Sequence, residues 1–514
     1  MKTIAIAAIL LIAIVVISSA VIGYSQNWFQ QSPTATTTPP TTTPTSAPTS
    51  SPTTTPTNSP TTSPTNEPTT TPTTQPTVAP TTTPTSVDEM DLTLEIYGNA
   101  NMDDRIDSTD VTYVQNIISG SKTQTTFADA NLDGAINQAD VDQINAIIAG
   151  TATQLKLLDG NAKNISLTLP EDRIIIEYIQ NAELIRVLEL QNKVVGVDFC
   201  VDQLKSIYFP ENGDNITSVG NMYTPDYEVV LNLNPDILLT FSNATAEKAS
   251  KLPGVDVVYL GLYYPNVLDP VHSEYIQAIL KAGYMFNRVD QATDFANWLL
   301  NMTSTISAKT TTLTADQKQT VFISNYPYTT SATLKAYMTV DTLGQVCILA
   351  GGNNIASNLT TYLTAASANV DAEWIIQQDP DYIFLHTVRY TYSGVTYADP
   401  AQGLNVNDAA SIRNCLQQWN SQAKFANLTA VKNNHVYIIA GDFRNNAMGG
   451  ALGAVYMAKI LYPDLLSDIN PQAIHQEYIT KYMHLSYNLD NSGVFLYPAI
   501  IVNGDTVGIP NGAS

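Results

Sequence analysis

The chain has 514 residues, with 46 Asp+Glu against 23 Lys+Arg, a formal charge of −23, three Cys, five His and only 13% charged residues. That length calls for two or more domains. A charge of this sign repels nucleic-acid backbones and no local basic stripe offsets it, which excludes nucleic-acid binding and suits calcium or a cationic ligand instead.

Met1-Lys2-Thr3 leads into an apolar run from Ile4 to Gly23. A run of that length reads as a signal peptide or a membrane anchor over residues 1–24, with all that follows exported. No Cys occurs before Cys200, so a lipid-modified Cys at a mature N-terminus is excluded. Residues 32–86 contain 26 Thr, 14 Pro and 7 Ser, a composition with almost nothing to bury. This Thr/Pro-rich linker is expected to be an extended, glycosylated stalk. Sequons at Asn164, Asn215, Asn243, Asn301, Asn358 and Asn427 add an expectation of N-linked sugar, making the chain a glycoprotein. Cys200, Cys347 and Cys415 allow one disulfide and leave one thiol; none forms a C-x-x-C motif.

The stalk gives way to an acidic stretch, residues 88–152, that repeats with a 30-residue offset. Asn99, Asn101, Asp103, Arg105 (through its carbonyl), Asp107 and Asp110 occupy loop positions 1, 3, 5, 7, 9 and 12. Asp129, Asn131, Asp133, Ala135 (through its carbonyl), Asn137 and Asp140 repeat them. Oxygen donors at this spacing wrap a hard cation, so up to two structural Ca2+ ions are expected. After each loop an apolar period (Val111, Val114, Ile117, Ile118; then Val141, Ile144, Ile147, Ile148) predicts one helix, stopped by Gly120 or Gly150. Duplicated loops of this form, with Asp at position 12, resemble the dockerin family. The resemblance implies an all-α module folded by calcium, docking onto a cohesin-type partner through Ser108, Thr109, Gln138 and Ala139. Asn99 at position 1 and Asp104 at position 6 depart from the family pattern and imply weaker binding at the first site.

From about residue 165 to 510, short β-rich runs alternate with helical patterns, which predicts parallel sheets covered by helices. Residues 290–318 lack Pro and Gly and carry apolar positions at helical spacing, from Phe295 to Ile306. They are expected to form a long helix joining lobe 1 (about 168–288) to lobe 2 (about 319–510). Glu228-Val-Val-Leu-Asn-Leu-Asn-Pro235-Asp236 echoes Glu373-Trp-Ile-Ile-Gln-Gln-Asp-Pro380-Asp381, as one corner built in each lobe. With Pro170-Glu-Asp-Arg-Ile-Ile-Ile, Val194-Val-Gly-Val-Asp198 and Gly351-Gly-Asn-Asn-Ile-Ala356, this part is similar to the substrate-binding proteins of iron-siderophore and cobalamin ABC transporters.

The fold class expected is therefore α/β: two parallel-sheet lobes joined by a long helix, preceded by the small calcium module on its stalk. The resemblance implies an extracytoplasmic, cell-surface receptor that delivers a ferric siderophore-type chelate or a corrinoid to an ABC transporter permease, with Glu228 and Glu373 docking on it. The cleft between lobes should be lined by loops at strand C-termini. Its candidates are Tyr178, Tyr208, Tyr263, Tyr264, Tyr326, Tyr328, Tyr390 and Tyr392, with His386, Arg389 and, as the preferred anchor for an anionic chelate, Arg444. The five His do not form a metal-site pattern, and no Gly-x-Ser-x-Gly, His-Glu-x-x-His or Walker-A motif occurs, so no enzyme is expected. The alternative from another class is a cell-surface scaffold whose two-lobed domain no longer transports.

Overall fold

The computed structural model describes residues 90–263, 265–327, 333–387, 402–445 and 449–513. The apolar N-terminal run and the Thr/Pro stalk lie outside the described residues. Residues 82–514 form one compact unit.

The two loops fold alike. Each is followed by an 11-residue helix, α1 (Ser108–Ile118) and α2 (Gln138–Ile148). Both open on a capping box, Asp107 with Asp110 and Asn137 with Asp140, so the position-12 carboxylate also serves the helix N-terminus. Gly120 and Gly150 follow the helices with φ of 80° and 66°. A hairpin, β1 (Gln154–Leu158) and β2 (Asn164–Thr168), then leads into lobe 1.

Lobe 1 is a five-stranded parallel sheet built from β3 (Ile174–Ile176), β4 (Val194–Val197), β5 (Thr217–Ser218), β6 (Ile237–Thr240) and β7 (Asp256–Tyr259). Its order is β5-β4-β3-β6-β7. Ile174, Ile175 and Ile176 are all fully buried, as a central strand covered on both faces requires. Helix α3 (Ile179–Val187) follows β3, α4 (Tyr227–Asn232) precedes β6, and α5 (Glu274–Met285) closes the lobe.

Helix α6 (Val289–Thr310) joins the lobes. It stops eight residues before the expected end at 318, because four of the five residues from Thr310 to Thr314 are β-branched threonines and Thr314 with Gln317 caps a separate 3-10 turn. In lobe 2, β8 (Thr320–Asn325), β9 (Thr333–Tyr337), β10 (Asn353–Asn354), β11 (Ser367–Asp371), β12 (Tyr382–His386), β13 (Val436–Ile439) and β14 (Leu496–Tyr497) follow in order. The main sheet runs β10-β8-β12-β13-β14, parallel except for β14, and β9 pairs with β11 antiparallel beside it. Helix α7 (Ala372–Gln378) precedes β12, and α8 (Gly449–Leu461) lies against α6.

The calcium module packs directly on lobe 1: Leu94, Ile96, Ile144, Leu157 and Ile279 belong to one continuous core with it. The three cysteines form no disulfide with one another; each is a buried thiol, on different elements.

Candidate functional site

In open α/β sheets the ligand crevice lies beyond the strand C-termini where the strand order reverses. In lobe 1 that point falls between β3 and β6. Tyr178 follows β3 and Phe241 follows β6, and their rings lie 4.6 Å apart. Tyr263, on the segment after β7, completes a triangle at 5.7 Å from Tyr178 and 5.0 Å from Phe241. Tyr223 reaches Phe241 edge-on at 5.7 Å.

A buried polar layer supports this aromatic platform. Tyr178 sits at φ 71°, a strained conformation for a bulky side chain. Its N–H donates to Asp198 at 3.0 Å, which holds it there. Glu177, fully buried, accepts from Lys248 at 2.6 Å, from Thr240 at 2.8 Å and from the Phe241 N–H at 2.9 Å. Burial pushes the Glu177 carboxyl up and the Lys248 ammonium down, and their mutual attraction opposes both shifts. The three N–H groups of the Lys248 ammonium are all taken up by Glu177, Thr240 and the Met222 carbonyl, which holds it in a saturated ion pair.

In lobe 2 the reversal lies between β8 and β12. His386, at the end of β12, is buried and accepts or donates at 2.7 Å with the Tyr337 hydroxyl. Burial and the nearby Arg444 push its pKa down to about 3, so the ring is neutral. Arg444 makes a buried pair with Asp341, Nε to Oδ1 at 3.0 Å, and its guanidinium lies 5.0 Å from the Tyr337 ring centre. Lys335 on β9 feels Arg444, and burial with that charge lowers its pKa to about 8. Tyr263 of lobe 1 lies within electrostatic range of Arg444 and Tyr337 of lobe 2.

The expected cleft residues are thus only partly brought together. Tyr178 and Tyr263 share the platform. Tyr208 is buried elsewhere, in a narrow gap between the lobes with Glu183, His475 and Tyr478. Tyr326 packs in the second core of lobe 2, its hydroxyl on Gln418 at 3.0 Å, and burial pushes its pKa up, which opposes a phenolate there. Arg444, expected as the preferred anchor, is paired with Asp341, a carboxylate 103 residues away that no local pattern signals. Tyr264, Tyr328, Arg389, Tyr390 and Tyr392 lie outside the described residues. Sequence reading missed Phe241 because it searched for hydroxyl-bearing rings, although the strand-end rule that singled out Tyr178 applies equally to Phe241. Asp341, Lys335 and Tyr337 carried no signal of their own.

Glu228 and Glu373 are both exposed and both stand second in their helices, α4 and α7, behind the Asp caps Asp226 and Asp371.

The calcium loops offer mixed donors. Among the described residues no group of three or more His, Cys, Asp or Glu is arranged to hold a metal ion. The loops instead combine Asp with Asn side chains and a backbone carbonyl. In the first, the Asn99 Oδ1 is buried with no hydrogen-bond partner, an orphan acceptor that a cation would satisfy. Asp110 and Asp140 are fully buried, and burial raises both pKa values, Asp110 to about 6, a cost that a bound cation offsets. The residues fit calcium on these grounds, with Asn99, Asn101, Asp103, Asp107, Asp110 and the Arg105 carbonyl in the first loop. Asp129, Asn131, Asp133, Asn137, Asp140 and the Ala135 carbonyl do the same in the second.

Two α/β lobes joined by a long helix, each with a switch point in its strand order, are the architecture of two-lobed binding proteins. The chain belongs to the periplasmic binding protein family, whose model matches residues 174–442. A dockerin type I domain model matches residues 97–149. Among solved structures the chain is similar to the TroA-like periplasmic binding protein FepB from Veillonella parvula, at 18% identity and TM-score 0.54, covering 66% of this chain and 98% of that one. It is also similar to the molybdate periplasmic binding protein MolA of Haemophilus influenzae, solved with molybdate, at 17% identity and TM-score 0.51, covering 65% and 99%. At these identities the likeness concerns the fold. No curated protein sequence matches the chain. The family places the working domain outside the cytoplasm and implies an importer permease as partner, as the dockerin match implies calcium and a cohesin. No helix of the described residues is long and apolar enough to cross a membrane.

Proposed function

We propose that the protein is the cell-surface receptor of an importer for a metal chelate, either a ferric siderophore-type complex or a corrinoid. The observation that carries this reading is the aromatic platform of Tyr178, Phe241 and Tyr263 at the switch point of lobe 1, with Tyr263 in electrostatic range of Arg444 on lobe 2. Flat apolar ligand surface would lie on the rings, and anionic groups would meet the cations Arg444 and Lys335. Arg444 shares its charge with Asp341, so Lys335 carries more of that task than the sequence suggests. Arg389, Tyr390, Tyr264 and Tyr328, outside the described residues, remain candidates from the sequence.

Delivery would use Glu228 and Glu373 against cationic residues of the permease. One helical turn beyond each stands an exposed aliphatic side chain, Leu231 at 41% and Ile376 at 43% exposure, on the same helix face. Charge reversal at both Glu is expected to abolish uptake and leave ligand binding unchanged; uptake that survives the double reversal would overturn the docking role.

Calcium would fill both loops, and Ser108, Thr109, Gln138 and Ala139, all exposed, would remain open to a cohesin-type partner. N-linked sugar is supported by the exposure of all six sequon asparagines, Asn164, Asn215, Asn243, Asn301, Asn358 and Asn427. Residues 1–24 would anchor the chain or be cleaved on export, with the stalk as spacer. A scaffold without transport is favoured by one observation, the ion pair already occupying Arg444. Ligand titration separates the two.

A further inference from the structure

The segment Met90–Tyr97 is held from two sides. On one side the first calcium loop grips it: the Leu94 N–H donates to the Asp103 carbonyl at 2.8 Å, the Asn99 amide donates to the Leu94 carbonyl at 2.8 Å, and the Met90 N–H donates to Asp104 at 2.7 Å. The other side is lobe 1. Tyr97 N–H to Lys156 O at 2.9 Å and Leu158 N–H to Glu95 O at 3.0 Å add the segment to the β1–β2 hairpin. Helix α5 supplies the rest. Lys281, its side chain 2% exposed, pairs with Glu95 at 2.6 Å, and the Gln277 amide donates to the Thr93 carbonyl at 2.6 Å. The Tyr284 hydroxyl accepts the N–H of Ile106, position 8 of the first loop, at 2.7 Å. A backbone group inside the cation loop is therefore bonded directly to the receptor domain.

Helix α5 in turn lies on the inter-lobe helix so closely that a Cβ on Gly283 would stand 2.6 Å from the Ala292 Cβ. The second loop lacks such a tie. Ile136, its position 8, is only partly buried where Ile106 is buried. Beside the end of α2 a cavity of about 380 Å³ opens against lobe 1, lined by Ile147, Gly150, Leu155, Met285 and Phe286.

We infer that calcium in the first loop is a brace of the substrate-binding domain itself: it fixes α5, and through α5 the seat of the inter-lobe helix, in addition to any role in recruiting a partner. The inference rests on the calcium reading of the loops. Cation binding to the folded loop alone stabilises whatever is folded with it, and here that includes lobe 1.

Hydrogen exchange of the full chain, with calcium and with a chelator, tests this. Chelation is expected to speed exchange of the Glu274–Met285 amides about tenfold, together with those of α1 and α2. Asp103→Ala in the first loop should reproduce the effect on Glu274–Met285, and Asp133→Ala in the second should produce less of it. Tyr284→Phe, which removes one acceptor and little volume, should leave the calcium protection of α1 and at least halve that of α5. Loss of protection in α1 and α2 with α5 unchanged would overturn the brace while leaving the calcium reading intact. No response in α1 or α2 would overturn the calcium reading, and the brace with it.

Discussion

Asp236 and Asp381 make the same bond in the two lobes. Each follows a Pro, and each turns a carboxylate oxygen onto the N–H that starts the neighbouring strand: Asp236 onto Asp172 and Arg173 at 2.9 and 2.8 Å, Asp381 onto Thr320 at 2.9 Å. The residue before each Pro is left-handed, Asn234 at φ 46° and Asp379 at φ 38°. A short helix, a left-handed residue, Pro and a bonding Asp thus set the register of the central strands twice.

The corner predicts a matched pair of losses. Asp381→Ala leaves the Thr320 N–H and hydroxyl without their acceptor, and Asp236→Ala does the same to two backbone N–H groups. Each is expected to lower stability by about 2 kcal/mol, while Asp→Asn, which keeps an acceptor, costs less. Urea midpoints of the four variants check this; equal effects of Ala and Asn would contradict it.

Local sequence carried this corner because all its parts lie within nine residues of each other. The same holds for the calcium loops and their helices, where ligand spacing and capping coincide. The cleft was less legible. Tyr178 and Tyr263 could be placed by the strand-end rule, but the Asp341–Arg444 pair and the Glu177–Lys248 pair join residues far apart in sequence. The seam between module and lobe 1 was invisible for the same reason: Tyr284 reads as an ordinary helix position until Ile106 is brought to it.

Arg186 fastens the lobes. Its guanidinium, fully buried on α3 of lobe 1, donates to the carbonyls of Met483 and His484 in lobe 2 at 2.6 and 2.8 Å, to the Tyr208 carbonyl at 2.9 Å and to Glu211 at 2.9 Å. Lysine cannot reproduce this fork. Arg186→Lys is expected to cost about 3 kcal/mol and to raise hydrogen exchange in residues 478–485, whereas a rigid segment there would contradict the fastening role.

His475 makes the fold acid-sensitive. It is buried against Tyr456 and Phe495, and burial depresses its folded pKa to about 3. A base whose folded pKa lies below its unfolded value of about 6.5 contributes its full stability above pH 6.5 and loses it as the pH falls towards 3. At pH 4.5 the loss from this residue is about 3 kcal/mol. His475→Gln should flatten the fall in melting temperature between pH 7 and 4.5; an unchanged slope would contradict the assignment.

On the proposed function, a metal chelate lies on the platform of Tyr178, Phe241 and Tyr263. Titration calorimetry of the chain against ferric siderophore-type chelates and corrinoids is expected to give a dissociation constant of about 1 µM or below for at least one of them, weakened about tenfold by Phe241→Ala. Failure to bind any chelate in the panel, or binding that Phe241→Ala leaves unchanged, would contradict it.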